Sequence, residues 1–219
     1  MRLFIVATGV LVAFVSGSML AKEPANLVEA KNALIKYHDS GEYNRDIEKT
    51  IADAMRYLKL SLEKGMPNNK KPAIVLDIDE TALSNYDDML KMNFGGTYEQ
   101  IREAADKGTD PAIQPTLKLY RFAKDNNVAV FFITGRREAE RDATSKNLEA
   151  VGYHAWDGLI LRGKDHENDS AVTYKSAARA QIEKDGYHII LNVGDQKSDL
   201  TGTNTGKGFK LPGPFYFIK

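Results

Sequence analysis

Four apolar runs, each closing on a polar residue, constrain this chain more than any other feature. They are "AIVLD" (73–77), "VAVFFIT" (128–134), "DGLILR" (157–162) and "HIILNVGD" (188–195). Short runs that are oily on nearly every residue, and bounded by polar segments, predict strands buried on both faces. Amphipathic stretches separate them, near residues 115–125, 137–151 and 174–184, and Gly152 and Gly186 stand where C-terminal caps belong. Strands and helices alternating in this order predict an α/β fold with a mostly parallel sheet covered on both sides. "FYFI" (215–218) is read as one more short strand.

The same pattern points to a site. Asp77, Thr134 and Asp195 each stand at the carboxyl end of an apolar run. That edge is where open α/β sheets bind ligands. Taken singly, Thr134 with Gly135 could be a helix N-cap, and Gly194 with Asp195 an ordinary turn. Three runs delivering polar groups to one edge imply a shared crevice.

Ahead of the first run lie two helical patterns, roughly residues 26–37 and 45–64. In the second, Ile47, Ile51, Ala54, Met55, Leu58 and Leu62 recur at helical spacing, and Gly65 with Pro67 stops it. Residues 22–70 are therefore read as helices that pack on the rest of the protein, without chemistry of their own. Residues 1–21 differ again. "MRLFIVATGVLVAFVSGSMLAKEP" has Arg2, an apolar stretch over residues 3–15, then small residues at Ser16, Gly17, Ser18 and Ala21. This is the order of a bacterial export signal, and the stretch is short for a membrane span. The mature protein is expected in the periplasm or outside the cell, with no membrane attachment after cleavage.

Charge narrows the partners. Thirty basic residues balance thirty acidic ones, so no overall field favours a nucleic acid polymer or an anionic membrane. The absence of cysteine excludes disulfides, thiolate metal sites and a cysteine nucleophile.

Asp77 and Asp79 carry the chemistry. Two carboxylates forced together raise each other's proton affinity unless a cation separates them. A glycosidase pair, a two-metal nuclease site, or a nucleophile and an acid/base beside one magnesium ion are the readings to weigh. Glycosidase carboxylates straddle a sugar bond and stand about 5 Å or more apart, which suits neighbours on one short loop poorly. A two-metal nuclease would call for more convergent carboxylates or histidines, and for positive charge toward its substrate.

"DIDET" (77–81), "ITGRRE" (133–138), "YKSAAR" (174–179) and "NVGDQKSDL" (192–200) resemble the four ordered motifs of the haloacid dehalogenase (HAD) superfamily. More narrowly they resemble its secreted acid phosphatases of subfamily IIIB, which include plant vegetative storage proteins. The resemblance covers roughly residues 71–219, including the closing "LPGPFYFI". It implies a HAD-like, Rossmannoid parallel sheet flanked by helices, with a small helical cap inserted at about residues 82–115. It also implies a phosphomonoesterase acting on small phosphate esters with Mg2+ as cofactor. By this resemblance Asp77 is the nucleophile and Asp79 the acid/base, while Asp77, the backbone carbonyl of Asp79 and Asp195 hold the ion. Asp199, one turn beyond Asp195, is an orienting neighbour or an alternative ligand. Thr134 and the amide of Gly135, expected at a strand-to-helix junction, would face phosphate oxygens. Lys175, favoured over Lys164 by the family pattern, would place its charge between Asp77 and the transferred group. Asn85 and Tyr86, at the start of the cap, are candidates for contacting the leaving group. Glu80 is read as a surface or orienting residue, Asp87 and Asp88 as a solvated helix start, and Arg136 and Arg137 equally as anion binders or a solvated helix start. Two alternatives share the scaffold: a phosphate-ester-binding or storage protein, and a phosphotransferase using the same intermediate.

Overall fold

A computed structural model of the protein describes residues 23–218; the expected export signal lies outside them. Five strands form one parallel sheet in the order β3-β2-β1-β4-β5: β1 Lys71–Leu76, β2 Ala129–Arg137, β3 Gly158–Arg162, β4 Tyr187–Gly194 and β5 Lys207–Lys210. The chain starts at the centre, runs outward to β3, then returns to the far side of β1 with β4 and β5. The strand order therefore reverses beside β1, and a crevice opens at the carboxyl ends of β1 and β4.

Why the runs are oily throughout is visible in the packing. Ile74 and Leu76 of β1 join one core, with Val130 and Phe132 of β2; Ala73 and Val75 join the other, with Phe131 and Ile133. Successive side chains point to opposite faces, so a strand covered on both sides must be apolar at every position. Helix α2 (Glu42–Lys64) covers the first face with Ile47, Ile51, Ala54 and Leu58, beside α5 (Gln114–Asp125) with Leu117, Tyr120 and Ala123. Full burial of each such isoleucine or leucine contributes about 1.5–3 kcal/mol. Helix α7 (Ala171–Lys184) covers the second face with Tyr174 and Ile182. Helix α1 (Leu27–Asp39) has no buried residue, and its start is capped by the Asn26 side chain.

Between β1 and α5 the chain makes an excursion carrying α3 (Tyr86–Lys91) and α4 (Tyr98–Asp106). Its two ends meet at a neck, where Ser84 N donates to Pro111 O and Ile113 N to Ala82 O, each at 2.9 Å.

Two expectations from sequence are corrected. Residues 215–218 form no strand; the fifth strand is Lys207–Lys210, which has a single large apolar residue, Phe209. Pro212 and Pro214 remove backbone donors just before "FYFI". The helix expected from residue 137 begins instead as α6, Arg141–Ala150. Strand β2 continues to Arg137, which pairs with Arg162 of β3, because Thr134 Oγ1 and Glu140 Oε2 accept the amides of Arg136 and Arg137. Gly135 thus lies in an extended segment and not at a helix start. It is exposed, with open space where a side chain would stand.

Candidate active site

The crevice gathers carboxylates from two strands. Asp77 follows β1, and its amide donates to Val193 O of β4 at 3.0 Å. Asp195 follows β4, and Asp199 lies in α8 (Lys197–Leu200) just beyond. Oxygens of Asp77, Asp195 and Asp199 lie within 4.8 Å of one another, and all three residues are buried. Lys175, reaching in from α7, donates from Nζ to Asp77 Oδ1 at 2.7 Å and to Asp199 Oδ1 at 2.5 Å. One ammonium against three carboxylates leaves two negative charges when all are ionised. Burial, with repulsion from Asp199, pushes Asp77 above the usual carboxylate range despite Lys175. Burial, then Asp77 and Asp199, pushes Asp195 up as well. Burial would lower Lys175, but Asp77 and Asp199 outweigh it and hold the ammonium charged.

The surroundings hold these groups in place. Asp195 Oδ1 accepts the Tyr216 hydroxyl at 3.0 Å and Oδ2 accepts Gln196 Nε2 at 2.7 Å. The Tyr216 hydroxyl also lies 3.3 Å from the carbonyl oxygen of Asp79, so it spans two oxygens that face the crevice. Asp199 Oδ2 accepts the amide of Gln196 at 2.8 Å, and its carbonyl accepts both Asn192 Nδ2 and Arg179 Nη1. Arg179, fully buried, also donates to the carbonyls of Thr201 and Thr203 and so fixes the loop after α8. Gly194 is required here, because a Cβ on it would overlap the Asp199 side chain.

Asp79 stands two residues from Asp77 in a different electrostatic setting. Arg136 grips its carboxylate, Nη2 at 2.8 Å and Nε at 3.1 Å from Oδ1, and Thr134 Oγ1 lies 3.4 Å from Oδ2. Burial alone would raise Asp79, but the guanidinium outweighs it and holds the group below its ordinary value. Arg136 is shared with Asp110, whose Oδ2 accepts Nη2 at 3.0 Å. Burial pushes Asp110 up to about 6 against the attraction of Arg136.

Glu80 is not on the surface. It is fully buried, with a left-handed backbone (φ 50°) that turns its side chain inward. Its carboxylate accepts Tyr43 Oη of α2 at 2.5 Å, the Asn85 amide at 2.5 Å and Ser84 Oγ at 3.2 Å. Burial raises it to about 7 even so.

Of the residues expected from sequence, Asp77, Asp79, Thr134, Lys175, Asp195 and Asp199 converge on the crevice. Asn85 joins indirectly, its Nδ2 donating to Asp110 at 3.1 Å. Tyr86 stacks on His38 at 3.4 Å and lies against Phe215, lining a cleft of about 360 Å3 with Ser84 and Ile113. Lys164 is exposed. Sequence reasoning missed Asp110 and Tyr216 and left Arg136 undecided. For Arg136 a signal existed: residues 134 and 136 of one strand share a face. Asp110 lies in a polar loop that gives none.

Buried hard oxygens with excess negative charge suit a divalent cation, and those of Asp77, Asp195 and Asp199 lie close enough together to share one. The fold, with this edge of carboxylates around a lysine, is that of the HAD phosphatases. The chain belongs to HAD subfamily IIIB, acid phosphatase, whose sequence model matches residues 7–219. It is 36% identical over 180 residues to Acid phosphatase 1 of Solanum lycopersicum, spanning 80% of this chain and 69% of that one. Vegetative storage protein 1 of Arabidopsis thaliana is 31% identical over 186 residues, spanning 82% and 66%. The class C acid phosphatase from Bacillus anthracis shares the fold, with a TM-score of 0.73, 24% identity and coverage of 87% of this chain and 85% of that one. No helix among the described residues is long and apolar enough to cross a membrane.

Proposed function

We propose that the protein is an exported, magnesium-dependent phosphomonoesterase that works through an aspartyl-phosphate on Asp77. The observation that carries this reading is the contrast between Asp77 and Asp79. The first shares a lysine with Asp199 beside a cation-suited cluster; the second is held apart by Arg136 and Thr134. Two carboxylates in unlike settings can take unlike roles.

Asp77 Oδ2 attacks phosphorus, and the bond from phosphorus to the ester oxygen breaks. Arg136 keeps Asp79 ionised in the free protein, so Asp79 takes its proton from the arriving phosphate monoanion and passes it to that oxygen, and the alcohol leaves neutral. Asp79 then takes a proton from water, which attacks phosphorus and releases inorganic phosphate and free Asp77. Lys175 keeps Asp77 in place and offers positive charge to the phosphoryl oxygens, and Thr134 Oγ1 and the Gly135 backbone would meet the same oxygens. Magnesium, held by Asp77, Asp195 and the Asp79 carbonyl, would neutralise charge on the phosphoryl group. Asp199 orients Lys175, and the excursion over residues 82–115 serves as the cap. The apolar leader with its small-residue end supports export.

The mature protein is assayed on a chromogenic phosphate ester with magnesium, with chelator, and as Asp77→Asn. Turnover that needs magnesium and vanishes in the variant is expected. Full activity in Asp77→Asn would sink the mechanism, and no turnover in any state would favour a binding or storage role. A second alcohol added as acceptor separates transfer from hydrolysis.

A further inference from the structure

Asp110 stands at the returning end of the neck, and its backbone is already secured. Asn147 of α6 donates from Nδ2 to its carbonyl at 2.7 Å and accepts its amide at Oδ1 at 2.9 Å. The neck itself closes through backbone bonds at Ser84 and Ile113. The carboxylate of Asp110 is therefore spare as far as closing the chain is concerned. It is buried, and a buried carboxylate is costly unless a charged partner meets it. Its Oδ2 meets two donors, Arg136 Nη2 at 3.0 Å and Asn85 Nδ2 at 3.1 Å. The same Arg136 Nη2 lies 2.8 Å from Asp79 Oδ1, and Nη1 is steadied by Thr144 Oγ1 at 3.3 Å. One guanidinium is stretched between two carboxylates, with a fixed hydroxyl on its other nitrogen.

We infer that Asp110 is a positioning residue for proton transfer to the leaving group. Through Arg136 it sets where the Asp79 carboxyl group stands, and it links that placement to both ends of the neck. This rests on the reading above, in which Asp79 protonates the departing oxygen. Without Asp110, Arg136 loses the partner that anchors it, and the Asp79 carboxyl group loses its fixed place. A misplaced proton donor harms departure of the alcohol more than it harms the attack of Asp77. The effect then depends on how much help the leaving group needs. A nitrophenolate departs unaided, whereas an alkoxide does not.

The test is Asp110→Asn, which keeps the shape and leaves both Asn147 bonds intact. Values of kcat/KM are measured across phosphate esters running from 4-nitrophenyl to simple alkyl, alongside thermal melting. A positioned general acid is worth on the order of 100-fold or more, so its misplacement is expected to cost about tenfold on alkyl esters. On 4-nitrophenyl phosphate the loss is expected to stay within about threefold, the ester needing little acid assistance. A loss of the same size on every ester, or none, overturns the inference while the phosphatase reading stands. A wild-type protein that hydrolyses no ester overturns the reading itself. Should Asp110→Asn fail to fold, Asp110→Ser is taken through the same series.

Discussion

Lys175 donates to Asp77 across 2.7 Å although 98 residues separate them in the chain. Among the described residues the lysine is the only cation hydrogen-bonded to this cluster of three buried carboxylates, and Asp77 and Asp199, the two it reaches, depend on it for compensation. Lys175→Met is expected to cut turnover by at least about 100-fold, as loss of preorganised charge does. It should also destabilise the fold by about 3–5 kcal/mol, because it strands buried carboxylates. Lys175→Arg should not restore activity, since a planar fork does not replace a point charge wedged between two carboxylates. Rate assays and denaturant titration of the three proteins check this.

The carboxylate cluster makes a pH prediction. Asp77 and Asp195 bind protons more tightly folded than unfolded. Their stabilisation is present below the ordinary carboxylate range and is lost as pH rises through their raised folded values. In chelator, melting temperature should therefore fall between about pH 5 and about pH 8. Magnesium should raise it more at the higher pH, where the ion has no protons to displace. A melting temperature that rises with pH in chelator would contradict the cluster's electrostatics.

Tyr43 of α2 reaches the loop after β1 through Glu80 at 2.5 Å. Tyr43→Phe leaves the buried carboxylate short of one donor and should cost about 1–3 kcal/mol in stability. Glu80 has a left-handed backbone next to Asp79, so activity should fall with it. Urea unfolding and steady-state kinetics on the same preparation measure both effects.

Gly194→Ala places a methyl group on the Asp199 side chain. Asp199 cannot retreat without giving up Lys175 and the Gln196 amide. The variant should lose magnesium affinity and at least about tenfold in turnover, given how tightly catalytic geometry must be held. Isothermal titration with magnesium provides a readout independent of turnover.

How much of this was legible in the sequence follows from how each feature is encoded. Strands β1, β2 and β4 are plain because burial on both faces makes nearly every residue apolar, and their ends mark Asp77, Thr134 and Asp195; β3, at the sheet edge, is plain from Leu159, Ile160 and Leu161. Strand β5 escaped because an edge strand of four residues with two lysines carries no such signal. Tyr216 was misplaced with it: local composition suggested a strand, whereas the prolines and the pull of Asp195 decide its path. Asp110 was hidden for a different reason. Its importance lies in Arg136, 26 residues on, and in Asp79, and no periodicity links the three. Glu80 was underrated because a carboxylate in a loop ordinarily faces water.

The site is also spread along the order in which the chain is made. Tyr43 reaches Glu80 over 37 residues, Lys175 reaches Asp77 over 98, and Tyr216 reaches Asp79 over 137. As the chain grows from its amino end, α2 and β1 can meet early and lock the Glu80 turn. Asp77 waits for its lysine, and the two oxygens spanned by Tyr216 wait longest. Contacts this distant slow a folding reaction, so the Tyr216 contact, which spans the most chain of the three, is expected to form last.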